Sequence, residues 1–140
     1  MDKFKEIRPI ALGIAIRDNK LLVGEKTDTV KNQTFYRCLG GGINFLETSS
    51  DALKREFKEE IHADIEINKF LGISENIFTY QGKNAHELIL IYSINIKDKD
   101  LKEKYHVVDD NSECDAKWVD IDEFKSGRKI LYPEEVFKYI

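Results

Sequence analysis

Apolar residues along this chain come in short blocks divided by polar and glycine-rich breaks. Residues 9–16 (Pro-Ile-Ala-Leu-Gly-Ile-Ala-Ile) are apolar without alternation, the pattern of a strand buried on both faces. Asp18-Asn19 then turns the chain into a second strand over 21–24, giving a hairpin. Residues 34–39 make a third strand, followed by Gly40, Gly41 and Gly42, which no regular element would choose. Thr48, Ser49, Ser50 and Asp51 offer caps for a helix running to Ile61. Strands are predicted over 65–73, 77–80, 87–96 and 116–119, with a polar loop over 97–110. A turn of helix follows at 121–124, and Pro133, suited to a first helical position, opens a last helix to Ile140. Strands interleaved with two or three helices predict a mixed α/β sandwich, one domain over 1–140.

The helix at 51–61 has charges in an unusual place. At about 100° per residue, Leu53, Phe57 and Ile61 form one narrow apolar stripe, and Asp51, Lys54, Arg55 and Lys58 lie opposite. Glu60 falls within roughly 20° of Leu53 and Glu56 within about 60°, so both edge onto the buried face with Glu59 beside them. Carboxylates at that spacing, about 5–6 Å apart, repel by about 3 kcal/mol per pair at an effective dielectric near 20. Arg55 reaches Glu59 at i,i+4 and offsets part of this. A hard divalent cation with oxygen ligands, magnesium or manganese, would offset the rest. A plainly acidic surface helix is the other reading of the wheel. Glycines 40–42 let backbone approach a ligand with no side chain in the way, or simply form a loop. Glu47, just ahead of the helix, reaches toward the same place.

The formal net charge of −4 argues against a long nucleic acid as partner but leaves a metal-bridged nucleotide open. Hydrophobic residues at 41% allow a real core. No apolar stretch approaches the roughly 18 residues of a membrane helix, and the first residues lack a signal-peptide core, so a cytoplasmic protein is expected. Cys38 and Cys114 fit neither a metal motif nor a disulfide framework and are read as free thiols, Cys38 in a buried strand.

Gly41, Glu47, Arg55-Glu56-Phe57-Lys58-Glu59-Glu60-Ile61 and His62-Ala63 together resemble the Nudix hydrolase signature. That signature is Gly, five residues, Glu, seven residues, Arg-Glu, an apolar residue, any residue, Glu-Glu, any residue, Gly, an apolar residue. Every acidic position and the arginine match. His62 departs from it, standing where the family has glycine. Asn44 and Leu46 replace residues common before Glu47, and Leu39 replaces a frequent proline. Residues 37–42 (Arg-Cys-Leu-Gly-Gly-Gly) look similar to members with an Arg-x-Leu-Gly-Gly-Gly segment, many without an assigned substrate.

The resemblance implies an α/β/α sandwich with a central mixed sheet. It also implies magnesium- or manganese-dependent attack by water on a phosphorus of a nucleoside diphosphate derivative. Glu56 and Glu60 would ligate the metal, with the Gly41 carbonyl. Glu59 would be a third ligand or the general base, Arg55 would orient the carboxylates, and Glu47 would reinforce it. The family often adds an acid from outside the motif: Glu87 is the candidate and Glu113 the runner-up. His86 is a phosphate contact or a surface histidine. Arg37 is expected to bind substrate, while Lys26 and Lys31 read as solvated. The strand aromatics read mostly as core, though some could stack on a base. Substrate choice would come from loops at 27–33, 81–85 and 97–110. A homodimer is frequent in such proteins. His62 and the altered residues before Glu47 leave room for a non-catalytic nucleotide-binding sensor of the same fold. An isomerase acting on diphosphates is a third reading, against which stands the lack of an acid–base cysteine.

Overall fold

The computed structural model describes residues 5–108 and 113–140, without the side chains of 108 and 113. Two sheets carry the chain. In the first, β5 (Gly40–Gly42), β1 (Ile7–Ile14), β7 (Lys83–Ile96) and β6 (Ile65–Tyr80) lie in that order, with β1 and β7 parallel. The second runs β10 (Leu131–Tyr132), β4 (Gln33–Cys38), β3 (Lys20–Asp28), β9 (Glu113–Asp120), β8 (Lys104–Val108), with β2 (Ile16–Arg17) paired to β3. Helix α1 (Ser49–Ile61) packs on β1, β5 and β8. A short helix α2 (Ile121–Lys125) and a terminal 3-10 helix (Glu134–Tyr139) cover the other side. This is the expected α/β/α sandwich.

The unalternating apolar strands have a physical cause. Their residues divide between two cores, one on each face. Ile10, Leu12 and Ile14 of β1 join Leu21 and Val23 of β3, Ile89 and Ile91 of β7, and Phe124. Ala11 and Leu22, on the opposite faces, join Leu53, Phe57 and Ile61 of α1. Phe57, Leu53 and Ile61 are all buried, so the predicted stripe is the contact face. Burial of such side chains stabilises by about 1.5–3 kcal/mol each.

Thr48 is the cap, its hydroxyl accepting the Asp51 N–H at 3.2 Å. At the other end His62 takes the left-handed conformation (φ 56°, ψ 34°) and donates its N–H to Lys58 O at 3.1 Å. The histidine thus adopts the geometry that glycine usually supplies.

Several expectations change. The three glycines form strand β5, antiparallel to β1, because side chains there would collide with neighbours: a Cβ on Gly40 would strike the Ala11 carbonyl. Residues 65–80 are one strand, not two. Ser74-Glu75-Asn76 stay paired with 87–89, and Ser74 and Asn76 line a polar cleft, which is why the apolar pattern lapses. Strand β7 begins at Lys83, after a tight turn at Gln81-Gly82 with both φ positive (53° and 76°). The segment 97–110 contains β8, and β9 starts before Ala116. Pro133 caps the final 3-10 helix from outside. Among the described residues no helix is long and apolar enough to cross a membrane.

Candidate active site

The site lies where the edge strand β5 meets α1. Gly41 pairs with Ala11 of β1. Glu56 fills the space where a Gly41 side chain would be: a Cβ there would sit 2.5 and 2.6 Å from its two carboxylate oxygens. Only glycine lets this carboxylate reach the backbone of β5.

Arg55 organises the acids around it. Its Nε and Nη2 donate to Oε2 and Oε1 of Glu47 at 2.8 and 2.9 Å, a two-pronged pair. Nη2 also donates to the Gly42 carbonyl at 2.9 Å. Nη1 donates to Glu56 at 2.9 Å and to Glu59 at 3.3 Å. Glu47 further accepts the Asn44 N–H at 3.1 Å. The Arg55 bond, with the Asn44 N–H behind it, pulls the Glu47 carboxyl down to about 2. Donating to the Glu47 carboxylate pushes Arg55 upward in return.

The carboxylates differ in freedom. Glu56 is 16% exposed and Glu59 60%, so Glu59 is the more open to water. Glu60 is half-buried and faces a cavity of about 200 Å³ together with Gly41, Arg37, Glu87, Arg8 and Lys26. An all-oxygen set of Glu56, Glu59, Glu60 and the Gly41 carbonyl suits a hard divalent cation. Among the described residues no three His, Cys, Asp or Glu side chains already close around one point. The structure therefore offers the donors, with Glu56 and Glu59 held by Arg55.

A second cavity of about 900 Å³ adjoins the first, sharing Arg8, Lys26, Arg37 and Glu87 as its wall. Phe35, Phe78, Tyr80 and Tyr132 line it. The Phe35 ring centroid lies 5.9 Å from that of Tyr80 and 5.3 Å from that of Tyr132. The segment 27–33 and the turn at Gln81 meet over this cleft. The Gln81 side chain accepts the Thr29 N–H at 2.8 Å, and buried Asp28 accepts backbone N–H groups from Val30, Lys31 and Gln81. Burial pushes the Asp28 carboxyl up, but those three N–H groups outweigh it and hold it below the usual range. Lys31 donates to Thr79 O at 2.7 Å and stays exposed at the cleft wall, as expected of a solvated side chain. Lys26 lines both cavities. The segment 97–110 instead borders a separate pocket, with Lys97, Asp98 and Leu101.

The predicted residues thus gather around α1 and β5, except Arg37 and Glu87, which meet each other at the shared wall. His86 is half-buried, its Nε2 enclosed without a hydrogen-bond partner and 3.9 Å from Glu75. The Glu113 side chain is outside the described residues. Tyr36 and Tyr92 are packed, Tyr36 buried at 5% exposure, while Phe45 is 92% exposed. Buried Cys38 is pushed up to about 12 by desolvation, which fits an inert thiol. Sequence reasoning missed Arg8 and Asp28. A charge ahead of an apolar strand was the signal for Arg8, and an Asx-type turn at Asp28 was the signal there.

The sequence pattern of the NUDIX domain family matches residues 7–138. None of the curated proteins compared matches the chain. Solved structures do. A NUDIX hydrolase from Nitrosomonas europaea superposes with a TM-score of 0.68 at 18% identity, covering 95% of this chain and 85% of that one. A MutT NUDIX hydrolase from Burkholderia pseudomallei gives 0.64 at 20% identity, over 84% and 86%. An ADP-ribose pyrophosphatase from Streptococcus suis gives 0.58 at 14% identity, over 91% and 81%. At these identities the likeness is one of fold.

Proposed function

This chain belongs to the NUDIX domain family, and from that premise we propose that it is a metal-dependent pyrophosphohydrolase. Its substrate would be a nucleoside diphosphate derivative, cleaved by water attack at phosphorus. The observation that carries the reading is the Arg55 hub, which draws Glu47, Glu56, Glu59 and the Gly42 carbonyl together beside Gly41.

Glu56, Glu60 and the Gly41 carbonyl are the proposed holders of magnesium or manganese, with Glu59 as a further ligand or as the base. When bound, the cation would shield the phosphate charge, lower the pKa of the attacking water and stabilise the leaving oxyanion. Arg55 and Glu47 fix the carboxylates before substrate arrives, so little reorganisation is needed. Glu59, exposed and held by a single 3.3 Å bond, is the carboxylate best able to take a proton from water. Arg37 serves the substrate's phosphates, and the aromatic cleft takes the group beyond them. The neighbour described as an ADP-ribose pyrophosphatase makes ADP-ribose a sensible first substrate. A binding-only module is the alternative. It draws little support from His62, which completes α1 without displacing the acids.

The test is incubation with magnesium, then manganese, and a panel of nucleoside triphosphates, nucleotide sugars, ADP-ribose and dinucleoside polyphosphates in ¹⁸O-water. Turnover with the label in a phosphorus product is expected. Binding of a panel member without any product would favour the sensor.

A further inference from the structure

The wall between the two cavities holds a carboxylate that the motif does not explain. Glu87 is 5% exposed. In the parallel register of β1 and β7 it stands opposite Arg8, on the same sheet face. Arg37 comes from the other sheet and brings Nη2 to 2.7 Å from Oε1, while Arg8 Nη1 lies 4.0 Å from Oε2. The Arg8 guanidinium also lies along the glycine strand: its Nη2 is 3.5 Å from where a Cβ on Gly42 would be. All three side chains line both cavities.

A buried carboxylate between two guanidiniums is committed to them, because breaking one such pair leaves an uncompensated charge in a desolvated place. That is a poor starting point for a base or a cation ligand. It is a good way to aim arginines. A guanidinium has five donors in a rigid fork, and Glu87 engages one Arg37 nitrogen. The triad of Glu87, Arg8 and Arg37 keeps a formal charge of +1, so it still attracts an anion.

We propose that Glu87 is a positioning residue that holds Arg8 and Arg37 as a two-arginine clamp for the oxygens of a diphosphate. Arg8 is thereby a substrate-binding residue. The clamp rests on the reading above only in taking a diphosphate group as the ligand. It grips the phosphates at the mouth of the glycine strand, between the α1 acids and the aromatic cleft.

The test uses imidodiphosphate, which resists hydrolysis, titrated calorimetrically into the whole chain with magnesium. Manganese affinity is measured separately by electron paramagnetic resonance. Loss of a hydrogen bond to a charged group predicts roughly tenfold or greater weakening of imidodiphosphate binding in Arg8→Gln and in Glu87→Gln. Manganese affinity should stay at the wild-type level in both. The double variant should bind little worse than either single one, since the two residues act as a unit. In turnover assays the loss should appear in KM rather than kcat. Weaker manganese binding in Glu87→Gln, or a collapse of kcat at constant KM, would make Glu87 a ligand or base and overturn the clamp. So would wild-type imidodiphosphate affinity in Arg8→Gln, a half-exposed position that tolerates the change even where Glu87→Gln fails to fold. Failure of the wild type to bind the probe also overturns it. Tight binding of the probe by a chain that turns over no substrate keeps the clamp and removes only the hydrolase.

Discussion

Arg55 and Glu47 meet as a two-pronged ion pair, with Nε to Oε2 at 2.8 Å and Nη2 to Oε1 at 2.9 Å. The same guanidinium spans to Gly42 O, Glu56 and Glu59, so one side chain sets the spacing of strand β5 from the acids of α1. A lysine has the charge but not the fork. Arg55→Lys is therefore expected to lower activity by roughly 10–100-fold, the usual effect of removing a residue that orients metal ligands. Steady-state kinetics checks this; a rate near wild type would mean that Glu56 and Glu59 hold their places without the Arg55 guanidinium.

Glu47 makes a prediction about acid. Its folded carboxyl sits at about 2 against an ordinary 4.5. A depressed folded value contributes stability that is complete above the ordinary value and is lost as pH falls through the folded one. Chemical denaturation of the wild type should lose a component between pH 4.5 and about 2, and the Glu47→Gln profile should be flatter over that window. Parallel profiles would show that the pair contributes nothing to folding.

The two neighbouring glycines should fail differently. A Cβ on Gly40 meets the backbone carbonyl of Ala11, which cannot swing aside, whereas a Cβ on Gly41 meets the movable end of Glu56. Gly40→Ala should cost about 1–3 kcal/mol of stability or more, read as a lower Tm. Gly41→Ala should keep most of its Tm and lose activity, because Glu56 must leave its seat. Equal effects on both quantities would refute the distinction.

His62 pays for its left-handed cap in strain. Glycine is free of the steric cost of about 1–2 kcal/mol that other residues meet there. His62→Gly should raise the Tm modestly and leave kcat alone, since His62 is exposed and takes no part in the acid cluster. A fall in Tm would show that the imidazole contributes contacts beyond the cap.

Much of this was legible in sequence, for reasons that follow from range. The Leu53, Phe57, Ile61 stripe and the Arg55-to-Glu59 contact depend only on helical periodicity, and both occur as expected. Ser74 to Asn76 read as a break because pattern records polarity, and polarity there reflects a cleft rather than a chain reversal. The parallel register that sets Arg8 opposite Glu87 joins segments far apart in the chain, and no local pattern encodes it. The glycines of β5 were read as irregular because glycine disfavours strands in general. Here the tight seat between Ala11 and Glu56 overrides that preference.

The most direct measurement is the kcat of Glu60→Gln beside wild type, with magnesium and the best substrate of the panel. Glu60 faces the cavity beside Gly41 and Arg37. Neutralising it removes a proposed holder of the cation and should lower kcat by orders of magnitude, with the Tm retained. Turnover at the wild-type rate would contradict a metal-dependent reaction at the α1 acids.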